Sequence, residues 1–64
     1  MPYASNSDLP KAVSNNLPEH AQSIYREAFN SGLDQTHNET RAHKIAWAAV
    51  KHSYKKRNGR WVAK

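Results

Sequence analysis

The chain has 64 residues, ten Lys and Arg against five Asp and Glu, and a formal net charge of +5. Apolar residues make up 38% of it and nine of them are Ala, so few large side chains remain for a core. A chain this short buries only roughly 60% of the surface its unfolded form exposes; that argues against a deep cofactor pocket, and the absence of Cys removes both a disulfide framework and a thiolate metal site.

Met1 to Ser7 is polar and reads as extended, with Pro2 and Tyr3 its local constraints. At Ser7-Asp8-Leu9-Pro10 a capping side chain precedes a proline, which the first turn of a helix tolerates because its missing N–H has no intrahelical partner. A short helix is predicted over about 9–15, with Leu9 and Val13 on one face, and Asn15-Asn16 stops it. Leu17-Pro18-Glu19 then repeats the device, adding a carboxylate that faces the helix dipole.

The second helix is predicted over about 18–31. Ala21, Ile24, Tyr25, Ala28 and Phe29 fall at i, i+3, i+4, i+7 and i+8, one apolar stripe directed to a core. Gly32 stands where a left-handed C-terminal cap is wanted. Thr36-x-x-Glu39 reads as a capping box for the third helix, with Asn38 and Thr40 as alternative caps. That helix is predicted to run to about Lys56. Its apolar arc, Ala42, Ile45, Ala46, Trp47, Ala49, Val50, Ser53 and Tyr54, is broad, so it is expected to be the central element and to pack against both others. Asn58-Gly59 ends it. The tail Arg60 to Lys64 alternates weakly and is a candidate strand, with the segment around Tyr3 as its partner. The fold class is therefore mainly α, a compact three-helix domain with one short and two long helices and a small two-stranded pairing of the N- and C-terminal segments. Residues 1–64 read as a single domain, with 58–64 a basic tail.

Charge is distributed unevenly. Met1 to Thr40 carry Lys11 and Arg26 against all five acids, a balance of −3, whereas Arg41 to Lys64 carry eight cations and no acid, +8. Arg41, Lys44, Lys51 and Lys55 fall on one face of the predicted third helix, and Lys56, Arg57, Arg60 and Lys64 continue the ridge. Cations near a helix C-terminus complement its dipole, but eight exceed that need. The C-terminal third is therefore the candidate surface for an anionic partner, with Trp61 as a possible aromatic contact. If about four of these cations reached phosphates, duplex DNA binding would follow a log-log salt slope near −3.6.

Other chemistry finds little support. His43 and His52, nine apart on one helix, lie about half a turn out of phase and cannot grip one ion together; neither His20 nor His37 has a ligand at a suitable spacing. His43 is expected to pack within the apolar arc, bonded to backbone. The carboxylates are scattered, there is no Gly-rich phosphate loop, and no catalytic residue, metal site or cofactor is assigned. No secretion signal opens the sequence, and the longest apolar run, Ile45 to Val50, is far short of the ~20 residues a membrane span needs. A cytoplasmic protein is expected.

Specific stretches carry a resemblance. Ser7-Asp8-Leu9-Pro10, Leu17-Pro18-x-His20-Ala21-Gln22-x-Ile24-Tyr25, Glu27-Ala28-Phe29-Asn30-Ser31 and Ala42-His43-Lys44-Ile45-Ala46-Trp47-Ala48-Ala49-Val50-Lys51-His52-x-Tyr54, with Pro2-Tyr3 ahead of them, closely resemble the ChaB family. The similarity covers essentially the whole chain and includes surface positions such as His20 and His52. It implies a small, mostly helical, non-enzymatic regulatory or binding protein, the family being named for regulation of a sodium/calcium–proton antiporter. Two departures from the bacterial pattern, a short connection between the long helices and a basic segment before Trp61, shift charge toward positive. The alternative reading is a sequence-nonspecific nucleic-acid binder, of viral or mobile-element origin, using Lys44, Lys51, Lys55, Lys56, Arg57 and Arg60 of the basic third helix and tail.

Overall fold

Steps of four residues dominate the buried positions. Leu9, Val13, Leu17, Ala21, Tyr25 and Phe29 follow one another at that interval, and Ala42, Ala46, Val50 and Tyr54 repeat it; these ten form the core. The computed structural model describes residues 3–64. Met1 and Pro2, part of the segment expected to be extended and of the family resemblance, lie outside the described residues.

A 3-10 turn (Asn6–Asp8) leads into α1 (Lys11–Ser14), α2 (Glu19–Thr36), α3 (Glu39–Ser53), β1 (Tyr54–Arg57) and β2 (Arg60–Ala63). The turn replaces extended chain there, because the amides of Asp8 and Leu9 close on the carbonyls of Ser5 and Asn6 at 3.1 and 3.2 Å. Tyr3 is docked along α2. Its N–H and C=O both pair with the Asn30 amide at 2.8 Å, and its ring sits 4.8 Å from that of Phe29. Pro10 and Pro18 occupy the N-cap positions of α1 and α2, and neither cap is made by a side chain. Gln22 instead ties the junction by donating to the carbonyls of Leu17 (2.8 Å) and Ser14 (3.1 Å).

α2 runs five residues beyond the predicted end at Ser31. Gly32 is not its cap but a buried contact point inside it: a Cβ there would stand 3.3 Å from Cα of Ala42 and 3.1 Å from Cδ1 of Ile45. The terminating left-handed residue is His37, at φ 54°, whose N–H donates to Leu33 O at 2.8 Å. Thr36 stays within α2 and bonds back to Gly32 O at 2.7 Å, so the capping box does not form. Asn38, one of the alternative caps, opens α3 by accepting from Arg41 N–H at 3.1 Å.

The rows Ala21, Tyr25, Phe29 of α2 and Ala42, Ala46, Val50 of α3 are i±4n ridges, and small residues at 32, 42 and 46 let the backbones approach closely. The 3-10 turn, α1 and α3 all pack on α2, which is the central helix in place of α3. α3 buries a narrower row than its sequence predicts: Ile45 is 40% exposed and Trp47 half-buried.

α3 ends at Ser53, three residues before the predicted limit. Tyr54 turns into β1 and is itself core, and Asn58-Gly59 (φ 51° and 78°) forms the two-residue link of an antiparallel hairpin with Arg57 opposite Arg60. Two positive φ values in an Asn-Gly pair are the type I′ geometry, whose twist matches that of the flanking strands. The two-stranded sheet is thus present, but the tail pairs with residues 54–57 rather than with the segment around Tyr3. The N-terminal segment could not serve, since its backbone at Tyr3 is taken by Asn30.

Candidate partner-binding site

The hairpin decides where the cations go. Successive strand residues point to opposite faces and cross-strand partners share one, so the register Lys56↔Trp61 puts these two on the face of buried Tyr54. Lys55, Arg57, Arg60 and Val62 share the outer face. The predicted ridge is therefore broken: Lys55 leaves the helix on which it would have continued Arg41, Lys44 and Lys51. All eight candidate cations are exposed, Arg41, Lys44 and Lys51 on α3, Lys55, Lys56 and Arg57 on β1, Arg60 on β2 and Lys64 just past it. Arg41 lies ten residues before Lys51, about 15 Å along the helix. Of the eight, Lys51 and Lys56 meet at one groove.

Trp61 is half-buried, its ring 5.5 Å from that of Trp47 at an interplanar angle of 37°. Trp47 in turn stands edge-on to Tyr25 (5.6 Å, 71°) and His43 (6.2 Å, 75°). These contacts link β2, α3 and α2 through one run of rings. Together with Lys51, Lys56, Ala12 and Asn16 the two tryptophans line an open groove of about 320 Å³.

On the other side of Trp47, the Tyr25 phenol lies 2.6 Å from Nδ1 of His43. Tyr25 is 1% exposed, and burial pushes its phenol up to about 12, with neighbouring Tyr3 adding to the rise. His43 is itself exposed and bonds to this side chain, not to backbone as expected. The tautomer of the ring sets the direction of this bond, since a phenol can donate to a bare ring nitrogen or accept from one that carries hydrogen. Among the described residues no three His, Cys, Asp or Glu side chains gather as metal ligands. No helix among them is long and apolar enough to cross a membrane.

Sequence reasoning found Trp61 but missed its partner. The signal was Asn58-Gly59 between two short runs with aromatic residues, which is a hairpin signature as well as a helix stop.

Comparison with known proteins bears on what such a surface serves. The family model described as ChaB matches residues 9–64. Proteins named putative cation transport regulator ChaB, from Escherichia coli (strain K12) and Shigella flexneri, are each 53% identical to the chain over 66 aligned positions, covering 88% of this chain and 87% of theirs. The solved structure titled NMR solution structure of the putative cation transport regulator ChaB aligns with a TM-score of 0.86 at 49% identity, covering 98% of this chain and 99% of that one.

Proposed function

Because the chain belongs to the ChaB family, we propose that it regulates cation transport by binding a partner protein through its cationic C-terminal third. The observation that carries this reading is the 53% identity, over nearly the full length of both chains, to proteins named as regulators of that process. The partner is a sodium/calcium–proton antiporter of the kind the family name implies, engaged on its cytoplasmic side. The chain's role is contact and not catalysis. Arg41, Lys44, Lys51, Lys55, Lys56, Arg57, Arg60 and Lys64 supply the anion-attracting surface, which raises the rate of encounter with an acidic partner and falls in effect as salt rises.

The test is mild crosslinking in cells followed by purification of the tagged full chain from membranes. Recovery of a cation antiporter, reduced when the eight cations are neutralised, supports the reading. Recovery of no transporter under conditions that capture known membrane complexes overturns it.

A further inference from the structure

We propose that the groove between α1, α3 and the hairpin is a docking site for an acidic peptide segment that carries a bulky apolar side chain between its carboxylates. The proposal deepens the partner-binding reading above and rests on it.

Four elements converge on this groove. α1 gives Ala12, the turn after it gives Asn16, α3 gives Trp47 and Lys51 one turn apart, and the hairpin gives the cross-strand pair Lys56 and Trp61. Its floor is the tilted indole pair, half-buried and apolar. Its charged lining is Lys51 and Lys56, with no acid among the lining residues. A concave apolar floor flanked by a few charged groups is the ordinary composition of a ligand site, and about 320 Å³ is at the small end of such sites. One side chain with the backbone on either side of it fits that size. The flanking ammonium groups then match carboxylates at the neighbouring positions of an extended peptide.

One observation favours a peptide over single-stranded nucleic acid, which would use the same residue types. A phosphate backbone needs a continuous track of cations, yet the hairpin sends Lys55, Arg57 and Arg60 to the face opposite Lys56.

The experiment is titration of the full-length, isotope-labelled chain to millimolar concentrations of a blocked pentapeptide, Glu-Asp-Leu-Asp-Glu. Parallel arms use its Leu-to-Gly version and oligothymidylate. The expected result is movement of both indole Nε1–H signals by the leucine peptide. Lys51→Glu with Lys56→Glu should weaken binding at least about ten-fold, against less than about three-fold for Lys55→Glu with Arg57→Glu. Unchanged far-ultraviolet circular dichroism identifies the variants that remain folded, and should the double reversal not fold, Lys51→Gln with Lys56→Gln replaces it. Unmoved indole signals, equal binding of the glycine peptide, or tighter binding of oligothymidylate that depends equally on both cation pairs would each overturn the proposal. Capture of an antiporter by the Lys51→Glu, Lys56→Glu variant as efficiently as by the unaltered chain sinks the groove and leaves the regulatory reading standing. Peptide binding in the groove with no antiporter recovered does the reverse.

Discussion

The indole of Trp61 rests 5.5 Å from that of Trp47, so the last strand of the chain is folded back on the middle of α3. That contact depends on a turn with two positive φ angles, and together with the β1–β2 ladder and buried Tyr54 it holds closed a hairpin that carries Lys55, Lys56, Arg57 and Arg60. Arg57 and Arg60, directly opposite each other, work against it.

Gly59→Ala is therefore expected to loosen the hairpin. Nothing lies within 4 Å of a Cβ at this position, so the cost is conformational, about 1 kcal/mol for a left-handed alanine. Amide exchange should speed up in residues 54–63 while the α2 and α3 amides keep their protection, and the near-ultraviolet signal of the tryptophan pair should weaken.

At Gly32 the effect is steric. Alanine relieves a glycine inside a helix by about 1 kcal/mol but must displace Ala42 backbone from 3.3 Å and the mobile Cδ1 of Ile45 from 3.1 Å. These oppose each other, so Gly32→Ala should change stability little. Gly32→Val adds branched bulk against the same backbone and should destabilise by about 1–3 kcal/mol. Urea unfolding of the pair checks the contrast.

His37 holds a left-handed conformation that glycine adopts without strain. His37→Gly keeps the N–H to Leu33 O bond and should stabilise by about 0.5–1 kcal/mol, less whatever freedom it adds to the unfolded chain. Thermal unfolding measures it.

Alkali should act through Tyr25. Its folded phenol titrates near 12 and its unfolded one near 10, so above pH 10 the unfolded state loses its proton first. The contribution is whole below pH 10 and is lost as pH rises through 12, by up to about 2.7 kcal/mol for two units. Tyr25→Phe removes that component of the alkaline loss. At pH 7 it should cost only about 1 kcal/mol, because exposed His43 can turn to water.

Much of the helical frame was legible because apolar spacing and punctuation agree in it. Ala21, Tyr25 and Phe29 are core, and Pro10 and Pro18 mark helix starts. Errors arose where a residue has two physical uses. Gly32 suits a cap or a close approach, and only the facing Ala42 decides between them. Lys55, Lys56 and Arg57 are good helix formers, yet burial of Tyr54 and the Trp47 contact of Trp61 outweigh their preference. All eight cations are exposed. Their division between two hairpin faces depends on register, which no local pattern of charge reveals.

The central claim is that this chain alters cation transport by binding. The most direct measurement is proton-coupled sodium or calcium exchange in inside-out membrane vesicles carrying a cation antiporter, with increasing full-length protein added to the cytoplasmic side. The exchange rate should change saturably, in either direction, and the change should shrink with rising salt or with Lys51→Glu and Lys56→Glu. A rate that stays constant up to protein concentrations well above those of the antiporter would contradict it.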